Sequence, residues 1–155
     1  MPTEETAVST RVLRAGLDEL GDVAALFDAY RQFYGQGADG EGPRRFLAAR
    51  IERGDSVILL ARRGGTAVGF TQLYPSYSSV AMRPIWILND LFVGKSARRT
   101  GVARTLLEHA IQFALEAGAA RLVLATGTGN RAAQRLYESV RWLRDDEYVY
   151  YKYPL

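Results

Sequence analysis

The sequence predicts a mixed α/β fold, an α+β mixed sheet with helices on both faces, on three observations. Two strand-like runs, Ser56–Arg63 and Ala67–Tyr74, meet at Gly64-Gly65, a dipeptide that favours a tight hairpin. Val102–Ala117 has the apolar spacing of a long amphipathic helix. That helix lies between a near-continuous apolar run, Pro84–Val93, and a short apolar run, Leu122–Thr126, so this passage implies one right-handed parallel crossover.

Each element has its own signal. Residues 1–9 are polar and read as a flexible leader, with 10–155 as a single domain. Thr10–Arg14 (TRVLR) alternates and reads as the first strand. Asp18–Tyr34 places Leu20, Val23, Phe27, Tyr30 and Tyr34 at helical spacing, with acidic residues in its first turn and Gly35 past its end. Gly35–Pro43 is a loop, and Arg44–Arg53 a second helix stopped by Gly54. Pro84–Val93 (PIWILNDLFV) is a buried strand interrupted by Asn89-Asp90. In the long helix Val102, Leu106, Ala110, Phe113 and Ala117 form the apolar stripe, and Gly118 ends it. Arg131–Val140 is a short helix, and Glu147–Tyr153 (EYVYYKY) reads as a closing aromatic strand. The expected order is β-α-α-β-β-β-α-β-α-β.

Composition removes several function classes. At 155 residues, 48% hydrophobic and 24% charged, the chain has the profile of an ordinary globular domain. It has no cysteine, which excludes a disulfide framework, a thiolate metal site and a cysteine nucleophile. The only histidine, His109, lies on the polar stripe of the long helix, so no metal is expected. A net charge of +3, from 20 basic and 17 acidic residues, gives no reason to expect a nucleic-acid partner. No apolar run reaches the roughly 18–20 residues needed to span a bilayer, and MPTEETAVST lacks the features of a secretory signal. The expected location is the cytoplasm, with no membrane partner.

The chemistry is concentrated in Val93-Gly-Lys-Ser-Ala-Arg98-Arg99-Thr100-Gly101-Val102-Ala103, where a buried strand ends and the long helix opens. Unpaired amides in a helix's first turn, with the positive end of its dipole, make an anion site. Arg98, Arg99, Arg104 and Lys95 add charge beside it. A solvated basic loop has the same letters. Gly94-Lys95-Ser96 copies the end of a P-loop, but Asn89 stands where that motif needs a glycine. A dinucleotide fingerprint needs three spaced glycines, and this turn has one.

Arg98-Arg99-Thr100-Gly101-Val102-Ala103 resembles the acyl-CoA loop of the GNAT acyltransferase superfamily, Arg/Gln-x-x-Gly-x-Gly/Ala, at the family's distance from Val93. Asn130-Arg-Ala-Ala-Gln-Arg-Leu136-Tyr137 is similar to the family's N-x-x-A-x-x-L-Y helix. The run WILNDLFV (Trp86–Val93) is similar to a small bacterial and yeast branch that includes histone- and polyamine-type enzymes. The resemblance covers most of residues 10–153 and implies the GNAT acyl-CoA N-acyltransferase fold, with acetyl-CoA as co-substrate. It also implies the site. Backbone groups of Leu91, Phe92 and Val93 would pair with the pantetheine amides, and Asn130 would bond the pantetheine arm. The pyrophosphate would rest on the amides from Arg99 through Thr100, Gly101, Val102 and Ala103 to Arg104, with Arg98 beside them. Tyr137 would protonate the departing thiolate.

An amine near pKa ~10.4 must lose a proton before it attacks a thioester, and Asp90 is the candidate base. A solvated bulge residue, or an acid that binds a cationic substrate, fits Asp90 as well. Tyr34, Tyr74, Trp86 and Asn89 are the candidate acceptor-binding residues. The expected reaction is direct acetyl transfer to a primary amine: a polyamine, another small-molecule amine or a protein lysine. A non-catalytic acyl-CoA sensor is the alternative. The closing tyrosines suggest a homodimer. Two arginines depart from the family pattern: Arg99 holds a common glycine position, and Arg141 stands where a glycine usually ends the second motif's helix. Left-handed backbone is costly for arginine, so the turn at Arg141 is expected to be remodelled.

Overall fold

The computed structural model describes residues 8–155, so residues 1–7 of the expected leader lie outside the described residues. The described chain forms two compact units that divide between Ala125 and Thr126. The first carries β1 (Thr10–Arg14), α1 (Leu20–Phe33), α2 (Gly42–Arg53), β2 (Val57–Arg63), β3 (Thr66–Ser78), β4 (Arg83–Val93), α3 (Val102–Glu116) and β5 (Leu122–Val123). The second carries α4 (Arg131–Ser139).

The sheet runs β1-β2-β3-β4-β5; the first four strands are antiparallel neighbours and β5 joins β4 in parallel. The hairpin falls at Gly64-Gly65, with Arg63 opposite Thr66. The parallel crossover is present too, made by α3 between β4 and β5.

Strand alternation sends side chains to two cores. Ile58, Leu60, Phe70 and Phe92 pack with Leu20, Val23, Phe27 and Leu47 of α1 and α2. On the other face, a Cβ at Gly69 would meet the Phe92 carbonyl at 2.8 Å and the Val102 side chain at 3.2 Å, so only glycine lets α3 sit this close to β3. Leu106, Leu107 and Ala110 of α3 are fully buried. Each such leucine contributes about 1.5–3 kcal/mol, which fixes the helix whose first turn closes the Arg98–Ala103 loop.

One expected element is missing. Residues 147–153 form no strand, and Tyr148, Tyr150, Tyr151 and Tyr153 are exposed. Alternating aromatics favour extended backbone, but a strand exists through its ladder, and this segment pairs with no described strand. The strand expected over Leu122–Thr126 is also shorter, ending at Val123.

Candidate active site

β4 meets β5 only through Trp86 and Ile87, so among the described residues the β4 edge from Leu88 to Val93 has no strand beside it. Leu91, Phe92 and Val93 lie on this open stretch. On its other edge β4 pairs with β3, and the register slips: Asp90 faces Gln72 while Leu88 faces Leu73, leaving Asn89 as the extra residue of a bulge.

The loop that follows is braced from several sides. Gly94 N–H donates to the Val68 carbonyl at 2.8 Å. Arg98 donates from Nε to the Val93 carbonyl at 3.0 Å, and its guanidinium lies 5.6 Å from the ring centres of both Phe33 and Phe92. Arg98 thus ties the loop to the strand end and to the tip of α1. Arg99 adopts φ 61 and Gly101 φ 87. The glycine enters this left-handed conformation at no steric cost, whereas Arg99 is strained there. The first helical bond of α3 runs from Thr105 N–H to the Gly101 carbonyl, so the amides of Val102 and Ala103 have no partner within the helix. Their clustering beside Arg99 and Arg104 suits a diphosphate. No His/Cys/Asp/Glu group that could hold a metal occurs among the described residues.

Arg63, at the end of β2, is a member of this site that sequence reasoning missed. Its guanidinium donates to Thr100 Oγ1 and to the Thr100 carbonyl, each at 2.7 Å, and its Nε donates to Thr10 Oγ1 at 2.9 Å. Nothing in the local sequence connects it to a loop 37 residues away.

At the bulge, Asp90 is only 4% exposed and Gln72 fully buried. Gln72 Nε2 donates to Asp90 Oδ2 at 2.9 Å, and Asn89 Nδ2 to Asp90 Oδ1 at 3.1 Å. Among the described residues no Lys or Arg forms an ion pair with Asp90. A buried carboxylate held only by amides leaves room for a cation, since buried charges are ordinarily paired. Asp90 is therefore not the solvated residue that its letters also allowed. Tyr74 lies two residues beyond Gln72, on the same face. Burial, and next the Asp90 charge, push its phenol up to about 12 from 10.0, so it stays neutral at any physiological pH.

The bulge also moves an expected pocket residue. Trp86 is expected with Tyr34, Tyr74 and Asn89 to bind the acceptor, but its ring packs edge-on against Phe113 of α3, 4.9 Å between centres, on the sheet face opposite Tyr74. Without Asn89 the alternation would have put residues 86 and 90 on one side; the extra residue reverses everything before it. Tyr34 is exposed at the end of α1, edge-on to Tyr30 and Phe33. Rings of Phe46, Phe27, Tyr30, Phe70 and Phe92 continue across the α1 and α2 face. A cavity of about 330 Å³ opens on this face, lined by Phe27, Arg31, Asp39, Gly42, Pro43 and Phe46. The backbone amides of Gly42 and Glu41 hold the Asp39 carboxyl below the ordinary carboxylate range.

In the second unit, Asn130 Oδ1 accepts from Ala133 N–H at 3.2 Å and so caps α4. Tyr137 is half-buried, its ring 6.1 Å from that of Trp142. Arg141 adopts φ 70, and Trp142 N–H donates to the Tyr137 carbonyl. The expected remodelling of this turn does not occur: the left-handed helix ending is kept with arginine in it.

A family profile described as "Acetyltransferase (GNAT) family" matches residues 23–141. The chain belongs to the GNAT acetyltransferase family. It is 44% identical over 140 residues, 90% of this chain and 94% of the relative, to "Uncharacterized N-acetyltransferase YhfO" of Bacillus subtilis. A crystal structure of a probable acetyltransferase superposes with a TM-score of 0.90 at 43% identity, covering 94% of this chain and 97% of that one. Aminoglycoside N-acetyltransferase AAC(6')-Iy in complex with CoA shares the fold, with a TM-score of 0.80 at 16% identity over 97% of this chain and 99% of that one. The chain is thus an acetyltransferase on a GNAT fold, and no helix among its described residues is long and apolar enough to cross a membrane.

Proposed function

We propose that this GNAT protein transfers the acetyl group of acetyl-CoA directly to a primary amine within a ternary complex. The observation that carries the reading is the open edge of β4, which runs past a buried carboxylate and ends at the first turn of α3, where the amides of Val102 and Ala103 have no partner within the helix. Acetyl-CoA supplies the activated thioester. In this reading the amides of residues 99–104 hold its diphosphate, and the β4 backbone of Leu91–Val93 takes its pantetheine arm. Asn130 adds a bond to that arm. A β4 N–H near the bulge polarises the acyl carbonyl. Asp90 accepts the amine's proton, and Tyr137 returns one to the leaving sulfur.

The acceptor is a small-molecule amine or a protein lysine that reaches the bulge from the aromatic face, past Tyr34 and Tyr74. Asn89 and Tyr74 flank its nitrogen, and Asp90 supplies the negative charge that draws an ammonium. The same reading places the enzyme in the cytoplasm and makes it a homodimer, whose second copy covers some of the exposed tyrosines at 148–153. The test is release of free thiol from acetyl-CoA over a panel of polyamines, amino-sugars, amino acids and lysine peptides. Saturable release with at least one primary amine is expected. Saturable CoA binding with no release for any amine would leave a sensor and overturn the reading. Tyr137→Phe is expected to slow turnover while cofactor affinity stays nearly unchanged.

A further inference from the structure

The mechanism above uses Asp90 but not the residue that faces it. Gln72 is fully buried on β3, directly across the ladder from Asp90, and donates Nε2 to Asp90 Oδ2 at 2.9 Å. An ionised carboxylate only accepts hydrogen bonds, so this contact fixes which way the amide points. Its carbonyl, Oε1, is buried and has no hydrogen-bond partner. Buried carbonyls are nearly always paired, because desolvating one without compensation is costly. The bulge therefore carries two side-chain acceptors on paired strands: a carboxylate with no ion-pair partner, and a carbonyl with no partner. Both face away from α3, on the aromatic side of the sheet.

We infer that Gln72 is a specificity-determining residue, whose Oε1 accepts one N–H of the attacking amine while Asp90 accepts the other, so that the site selects primary amines over N-alkylated ones. The inference rests on the acetyl-transfer reading and adds to it a residue and a substrate rule. A primary amine that aims its lone pair at the acyl carbon has two N–H bonds left, one for each acceptor. As the C–N bond forms, the C–S bond breaks and its electron pair leaves on sulfur. One nitrogen proton passes to Asp90, and the thiolate takes a proton from Tyr137. The other N–H stays on Gln72 Oε1 and becomes the N–H of the product amide. A secondary amine has only one N–H. It leaves Oε1 buried and unpaired, and puts a carbon where the hydrogen bond should be.

The test compares kcat/KM for the best primary amine of the panel with that for its N-methyl derivative. The N-methyl amine is intrinsically no worse a nucleophile, so bulk chemistry does not produce the preference. Wild-type protein is expected to favour the primary amine by about 100-fold or more. Gln72→Met keeps length and volume and removes both the carbonyl and the Nε2 bond to Asp90. Loss of the Asp90 bond slows both amines alike, whereas loss of Oε1 slows only the primary one, so the primary-to-N-methyl ratio is expected to fall by about 10- to 100-fold while KM for acetyl-CoA changes less than about 3-fold. Comparable rates for the two amines with wild-type protein overturn the inference without any variant. A preference that survives in folded Gln72→Met also overturns it. Either result leaves acetyl transfer standing. CoA binding without release for any amine brings down the transfer reading and this inference together.

Discussion

Arg63 gives the sharpest prediction, because its work is visible and remote from any reacting atom. Its guanidinium makes two bonds to Thr100, at 2.7 Å each, immediately before Gly101. Arg63→Met keeps the apolar stem and removes both. These bonds are exposed, so each is taken below the usual range for a charged donor, at about 1 kcal/mol, and the pair at about 2 kcal/mol. If loop order is lost with them, the diphosphate must reassemble its own amide cradle on binding. At 1.4 kcal/mol per tenfold, the expected weakening is about 5- to 30-fold in Kd for CoA, with kcat little changed. Titration calorimetry with CoA and steady-state kinetics at saturating amine measure the two quantities. Arg63→Lys separates bracing from charge, since lysine keeps the charge but not the fork that spans hydroxyl and carbonyl. It should fall close to Arg63→Met. A Kd within about twofold of wild type for Arg63→Met, or full recovery with lysine, refutes the bracing argument.

Other positions give further tests. Asp90→Asn keeps the shape and loses the base, so kcat should fall by about 10²- to 10⁴-fold while the Kd for CoA stays within about threefold, measured by thiol release and calorimetry. Tyr74 holds its proton more tightly when folded, so its contribution to stability is complete below pH 10.0 and is lost as pH rises toward about 12. Ultraviolet titration should show a tyrosine ionising late, and Tyr74→Phe should remove that step and flatten the alkaline loss of stability. Arg141→Gly relieves a left-handed arginine at φ 70 and should stabilise the protein by about 1 kcal/mol, read as a rise in the denaturant midpoint.

How far the letters alone reach depends on the range of the interaction. The first strand, the Gly64-Gly65 hairpin and α3 were legible because each is set by local spacing and turn chemistry. The Arg98–Ala103 loop was legible for the same reason: a strand end, a glycine and a helix start are neighbours in sequence. Three features were not. The face of Trp86 turns on one extra residue, Asn89, which looks like any other polar letter inside an apolar run. Gln72 and Arg63 act across 18 and 37 residues of chain, and no local pattern announces a pairing partner at that distance. The tyrosines of 147–153 have strand composition, yet a ladder depends on what lies alongside, which composition does not encode.

The proposed function rests on the amides of Val102 and Ala103, which have no partner within α3, helping to hold a diphosphate. Titration of folded protein with coenzyme A by calorimetry should give a saturable isotherm, and Gly101→Val should abolish or greatly weaken it by forcing a branched side chain into φ 87. Absence of heat and of saturation with coenzyme A on well-folded wild-type protein would contradict it.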